Sequence, residues 1–319
     1  MYTDKSHILQ YILPTLMFCA LFVKEANAQG CCTAGTSALS GIERGIASYQ
    51  TLLAGLSIQG NDLEDTFEAT RRIPDPLERA ASVTTITLEL EYGLADRVSL
   101  VAIGSYHLKT RTLTVRSASN ALETASFNGR GFGDVVLLGK YQVITPTITS
   151  PFEVCLGGGA KLPTGSYQQE TGGSRLAIDL QPGSGAADLL AWGFVLYSFP
   201  QHHLRLFGNV FYRYTGTNLD NYRLGDEALF LLGGEYDILN YLDLSLLLKG
   251  RSARQDFSNG RLLSSTGGEM YSLVPGVIYQ EGNSVVRVFY QLPVYRNVKG
   301  IQLSLTRLIG LEIQHTFDF

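Results

Sequence analysis

The chain has 319 residues, 45% of them hydrophobic and only 17% charged, with 34 glycines and a formal net charge of −4. Soluble domains carry charge on about a quarter of their residues, and a weakly acidic balance offers no basic face to nucleic acid. Beyond residue 28 no stretch reaches about 18 consecutive apolar residues, which excludes membrane-spanning helices.

In chain order the first element is a secretion signal, residues 1–28. Lys5 precedes an apolar stretch from Ile8 to Val23, and Ala26-Asn27-Ala28 supplies the small residues at which cleavage would leave Gln29 first. Gln10 and Pro14 interrupt the stretch, which argues against an anchoring helix. Residues 29–45 are expected to form a periplasmic N-terminal segment carrying Cys31 and Cys32. A local disulfide, two free thiols and lipidation at Cys31 are all compatible with that spacing. The cysteines have no further ligands beside them, so no metal site is expected, and no cofactor either.

From residue 46 onward the apolar pattern repeats with period two. Ile86, Leu88, Leu90 and Tyr92 alternate with Thr85, Thr87, Glu89 and Glu91. Leu242, Leu244, Leu246 and Leu248 alternate with Asp243, Ser245, Leu247 and Lys249. At the C-terminus Leu311, Ile313, His315, Phe317 and Phe319 face one way, Glu312, Gln314, Thr316 and Asp318 the other. Such strands place one face in hydrocarbon and the other in an enclosed interior.

About twelve strands are predicted, at 46–58, 83–93, 97–110, 130–143, 152–163, 185–198, 203–214, 227–237, 241–251, 270–280, 285–295 and 306–319. The first has two mixed faces. In the sixth, Trp192 and Phe194 share a register with Asp188, so its outward face is ambiguous. Short connections near 93–97, 144–151, 198–203, 237–241 and 280–284 alternate with long ones near 59–82, 111–129, 164–184, 215–226, 252–269 and 296–305. This alternation predicts an all-β fold: a closed antiparallel transmembrane β-barrel over 46–319, with short periplasmic turns and longer extracellular loops.

Aromatic placement is a separate test. Tyr92, Tyr141, Tyr197, Tyr236 and Tyr279 each end a strand on the apolar register just before a short turn, as Phe317 and Phe319 end the last one. Tyr106, Tyr212, Tyr214 and Tyr290 populate the opposite ends. Two such belts mark the two surfaces of a membrane, whereas a soluble β-sandwich would share the alternation but not the belts. The expected partners are therefore outer-membrane lipid and, through the terminal aromatic strand, the barrel assembly machinery.

The stretch Gly131-Phe132-Gly133-Asp134-Val135-Val136-Leu137-Leu138-Gly139-Lys140-Tyr141 resembles a motif of an outer-membrane family named for the meta-cleavage pathway of phenol degradation. Gly157-Gly158-Gly159-Ala160-Lys161-Leu162-Pro163-Thr164-Gly165 resembles its second motif, and Pro182-Gly183-Ser184-Gly185 followed by Asp188 a third. The resemblance implies an outer-membrane barrel passing small, often apolar molecules, and it brings no catalytic residues.

On the lumen register of two adjacent strands lie Asp134, Lys140, Glu153 and Lys161. They either brace the interior by pairing across the sheet or form a charged constriction. Arg205, Arg213 and Arg287 also face inward, as do Glu89, Glu91, Glu235, Asp243, Lys249 and Glu312, so no ring of a single sign is expected. Asp134, Lys140, Glu153, Lys161, Arg205, Arg213 and Arg287 form the expected solute path. Val101, Ile103, Val136, Leu138, Phe207, Phe211, Leu229, Leu231, Leu247 and Phe289 share this register, which implies either a partly packed interior or an apolar solute.

The expected function is an outer-membrane channel for small solutes, working by facilitated diffusion. Two other classes compete. A lipid-modifying enzyme would need a nucleophile and a base, for which His107 (inward) and His315 (outward) are candidates beside Ser105 and Ser304, without a nucleophile-elbow pattern. A binding barrel would act through its loops; the one near 59–82 is rich in charge, which is also what a solvated loop carries.

Overall fold

The structure, a computed structural model, describes residues 43–116, 122–147 and 150–319; the segment 1–28 expected to be a secretion signal, Cys31 and Cys32 lie outside them. The described chain is almost entirely antiparallel strand. In order these are β1 (Thr51–Ala69), β2 (Ala80–Ala95), β3 (Val98–Arg116), β4 (Leu122–Phe132), β5 (Val135–Ile144), β6 (Phe152–Leu162), β7 (Asp188–Phe199), β8 (Leu204–Tyr214), β9 (Glu227–Leu239), β10 (Leu242–Ala253), β11 (Gly268–Glu281) and β12 (Ser284–Asp318). Short two- and three-residue strands decorate the long loops.

Each strand pairs with its neighbour in sequence, except that β4 and β5 both pair with β3 and not with each other, and β12 pairs back onto β1 to close the ring. β4 extends β3 beyond the point where β5 takes over, so these two together make one pass, interrupted at Gly133 and Asp134. Eleven runs therefore form the closed ring among the described residues, and parity shows that the last makes two passes. Residues 284–298 of β12 run antiparallel to β11, whereas 298–318 run antiparallel to β1, which points the opposite way to β11. One straight strand cannot satisfy both. β12 reverses at the long-loop end, where Gly300 takes the left-handed φ of +67° that a glycine adopts without a Cβ penalty. Counted by passes, the expected twelve strands are present.

Burial follows the alternation. Along β2, Val83, Thr85, Thr87, Glu89 and Glu91 are buried while Leu88, Leu90 and Tyr92 are exposed. The tyrosines 92, 141, 197, 236 and 279 all face outward at the short-turn end, joined by Phe317 and Phe319. Tyr212, Tyr214 and Tyr290 face outward towards the other end, where Tyr106 packs edge-on against Phe132 at 5.2 Å. The outer surface is thus an apolar band between two aromatic rims.

Three differences from the sequence pattern have physical causes. β1 covers Thr51–Ala69 rather than 46–58, and the strand pairs β1–β2, β3–β4 and both passes of β12 run on into segments expected to be loops. Outside the hydrocarbon both faces are polar, so the period-two signal vanishes although the hydrogen-bond ladder continues; Asp62 and Glu64 on β1 occupy such outward positions. On β7 the ambiguity resolves inward: Asp188, Leu190, Trp192 and Phe194 are all buried in the lumen.

Candidate functional site: the barrel interior

The lumen has two chemically different walls. The short-turn half of β3 and strands β5 to β11 contribute Val101, Ile103, Val136, Leu138, Cys155, Leu190, Trp192, Phe194, Phe207, Phe211, Leu229, Leu231, Leu247 and Val274, one contiguous buried apolar cluster. Trp192 stacks on Phe194 at 6.0 Å. Room for the indole comes from Gly157, directly opposite it in register; a Cβ there would lie 2.9 Å from the ring and 2.8 Å from the carbonyl of Gly139. Glycines of the second sequence motif are thus the counterpart of an aromatic on the neighbouring strand. The interior at this level is partly packed, the first of the two alternatives left open by the sequence.

The other wall is hydrogen-bonding. The second pass of β12, with β1, β2 and β3, aligns Glu312, Ser57, Thr87 and Ser105 in one transverse row, with Gln59, Thr85 and His107 in the next. All seven are buried. Thr85 and Ser105 lie 3.1 and 2.9 Å from the two ring nitrogens of His107. Ser57 Oγ, Thr87 Oγ1 and Asn61 Oδ1 are buried without a hydrogen-bond partner.

At the long-loop end all three sequence motifs meet. Lys161 donates to Asp134 at 2.6 Å, to Ser184 at 2.5 Å and to the Ala186 carbonyl at 2.8 Å, and pairs with Asp188 at 3.2 Å. Asp134 in turn accepts the backbone N–H groups of Gly165 and Ser184, each at 2.9 Å. This knot pins the segment 163–187 down into the mouth, where Leu176, Leu180 and Gln181 are buried and Lys109 donates to the carbonyls of Asp179 and Gln181. Arg213 lies at the same end, on Glu227 at 2.8 Å, with Arg251 on the other carboxylate oxygen.

The short-turn end is closed differently. Residues 43–47, a strap leading into β1, run inside the lumen. Arg287 binds Glu43 at 2.5 Å and Arg44 binds Glu89 at 3.0 Å. The Ala47 N–H donates to Glu91 at 3.0 Å, and Lys140 donates to the Gly45 carbonyl at 3.0 Å while pairing with Glu91 at 2.9 Å. Ile46 packs against the apolar cluster. Beside the strap lies a cavity of about 390 Å³, lined by Phe194, Leu196, Phe207 and Ile278 on one side and by Glu153, Arg205, Glu235 and Glu312 among its polar groups. Arg205 is held by Glu235 at 3.0 Å and Asp243 at 2.9 Å.

The expected solute-path residues therefore divide into two groups. Asp134 and Lys161 touch each other at the long-loop end, where Arg213 also lies; Glu153, Arg205 and Arg287 line the short-turn chamber, and Lys140 holds the strap beside it. Lys140 does not pair with Glu153, whose carboxylate is held by Gln142 at 2.8 Å. His315 faces outward and shares a hydrogen bond of 2.8 Å with Ser284. In the segment near 59–82, Asp75 holds Arg79 and Asp65 holds Arg72, each at 2.6 Å. Among the described residues no three His, Cys, Asp or Glu side chains converge as metal ligands.

A family profile described as MetA-pathway of phenol degradation matches residues 81–298, more than half of the chain. The chain belongs to this family. Among solved structures it is similar to an outer membrane channel from Pseudomonas putida F1, with a TM-score of 0.63 at 11% identity over 87% of this chain and 98% of that one. It also matches a FadL homologue from Pseudomonas aeruginosa (TM-score 0.40, 10% identity, covering 84% and 90% of the two chains) and the porin NanC (0.42, 9%, 83% and 100%). At such identity the first shows the fold, that of outer-membrane β-barrels, and the other two add nothing to it. No curated protein matches by sequence.

For this family member the sequence pattern located the lumen residues but missed the strap. Glu43 and Arg44 lie before the first alternating residues, and only their opposite charges on adjacent positions hinted at buried partners. The polar wall was visible residue by residue in the inward registers of β2 and β3, but its grouping on one side of the ring depends on closure by β12.

Proposed function

We propose that the chain is an outer-membrane channel that passes small solutes with an apolar body by facilitated diffusion, without an enzymatic step, metal or cofactor. The observation carrying this is the lumen itself: a ring with a lipid-facing band encloses an interior whose one wall is apolar and aromatic and whose other wall presents unpartnered hydroxyls. Such a pair of walls suits a molecule with an apolar face and a hydrogen-bonding group. The short turns then face the periplasm and the long loops the exterior. Facilitated diffusion requires movement of the inserted segment 163–187 at one mouth and of the strap at the other. Planar-bilayer conductance followed by swelling of proteoliposomes in a solute panel tests this. Selective uptake of amphipathic solutes over equally small sugars is the expected result, and equal exclusion of both would overturn it.

One observation favours a second reading. Ser105 Oγ lies 2.9 Å from His107 Nε2, the separation of a serine nucleophile and its base. The group at Nδ1 is the Thr85 hydroxyl, which cannot stabilise an imidazolium as a carboxylate does, and all three are buried away from lipid. Phospholipid turnover by the purified protein that vanishes in Ser105→Ala and His107→Ala would replace the channel by a hydrolase.

A further inference from the structure

The strap at the short-turn end is held as a ligand is held. Residues 43–46 present one anion, one cation, a residue without a side chain and an apolar side chain in succession, and each meets a matching group on a different strand. Arg287 on β12 takes the Glu43 carboxylate, and Glu89 on β2 takes the Arg44 guanidinium. Lys140 on β5 takes the carbonyls of Arg44 and Gly45 at 3.4 and 3.0 Å, and Glu91 accepts the N–H of Ala47. At Gly45 a Cβ would stand 2.2 Å from a Glu153 carboxylate oxygen, which Gln142 holds in place. Ile46 meets the apolar cluster. Main chain, both charges, a small residue and an apolar residue are all read by inward side chains that the rest of the barrel fixes.

Among the described residues Glu89 and Arg287 find their ion pairs on the strap, whereas Lys140 and Glu91 pair with each other within the barrel. Removing the strap would leave Glu89 without its ion pair and Arg287 without the Glu43 carboxylate, both in an interior where an unpaired charge is costly. The cavity of about 390 Å³ adjoining the strap gives a displacing molecule a place to enter. We propose that this cradle is a binding site for short peptides that pair an acidic with a basic side chain and carry an apolar group, and that the chain's own residues Glu43–Ile46 occupy it as a displaceable plug. This rests on the channel reading only for its consequence, the opening of the lumen; the binding itself is separate.

The test uses the full chain, the variant Arg44→Glu, which sets a carboxylate against Glu89, and the synthetic peptide acetyl-Glu-Arg-Gly-Ile-amide. Two signals are recorded. The first is the fluorescence of Trp192, the single tryptophan of the chain, whose ring lies 4.9 Å from Lys140 Nζ. The second is planar-bilayer conductance.

The Arg44→Glu protein is expected to bind the peptide saturably, with a fluorescence change at least tenfold more sensitive to it than to the same peptide with citrulline for arginine. Its conductance is expected to exceed that of the natural chain about tenfold and to fall back as peptide is added. Raised conductance with no peptide response in either signal would overturn the cradle and leave the channel standing. A saturable fluorescence response with no conductance from either protein would uphold the cradle and overturn the channel. No difference between the two proteins in either signal would overturn the plug.

Discussion

The two walls of the lumen solve the same problem in opposite ways. The apolar wall fills its space: Trp192, Phe194, Phe207 and Phe211 interdigitate with glycines and aliphatic residues on neighbouring strands. The hydrogen-bonding wall leaves buried oxygens on Ser57, Thr87 and Asn61 without partners, and neutralises its charges through the strap. A packed surface derives stability from area and tolerates little change in volume. A polar surface instead keeps hydroxyls and an amide oxygen available to hydrogen-bond whatever enters the lumen, water included. The comparison separates what closes this barrel from what a solute would touch.

It can be broken at several points. The largest effect is expected from Trp192→Ala, which empties the centre of the apolar wall. Loss of a buried aromatic should destabilise the barrel by about 4 kcal/mol in denaturant titration in detergent, and conductance should rise. Unchanged stability would mean that the wall is not packed as described. Lys140→Met strands the buried Glu91 carboxylate at the seam between the walls, where both side chains are almost inaccessible. A loss of about 3 kcal/mol is expected, most of it recovered when Glu91→Gln is added. If the double variant is no better than the single, the pair is not what Lys140 is for.

Gly157→Ala tests the fit beneath the indole; it should cost about 2 kcal/mol through overpacking and blue- or red-shift the Trp192 emission. Smallest is Thr87→Val on the polar wall. Replacing an unpartnered hydroxyl by a methyl group should change stability by less than about 1 kcal/mol, while uptake of hydroxyl-bearing solutes falls several-fold. A marked loss of stability instead would show the hydroxyl to be bonded within the protein.

Much of this fold is legible in the sequence because a membrane barrel obeys one rule at every strand. Leu88, Leu90 and Tyr92 had to face lipid, and the five tyrosines before short turns could sit only at an interface. The rule stops at the rims. Beyond Ile58 on β1 the outward residues are Gly60, Asp62 and Glu64, so the strand continues without its signature. Of the site, Asp134 and Lys161 were legible as a pair across the sheet because one directly precedes β5 and the other lies near the end of β6, its neighbour. Lys140 was placed correctly in the lumen, but its partner Glu91 is two strands away and depends on barrel curvature. The strap was illegible for another reason: neither face of 43–47 alternates, because a segment lying across a lumen has no single oily side.

The pairing of β1 with the second pass of β12 also governs how the molecule can be made. Thr51 finds its partner in Asp318, at nearly the greatest sequence separation the described chain offers. Until that seam zips, two long edges with unpaired amide groups lie open to any other strand, and contacts so distant in sequence form slowly. Ring closure joins the two most distant stretches of the described chain, so its contacts are expected to form late, after the hairpins between neighbouring strands.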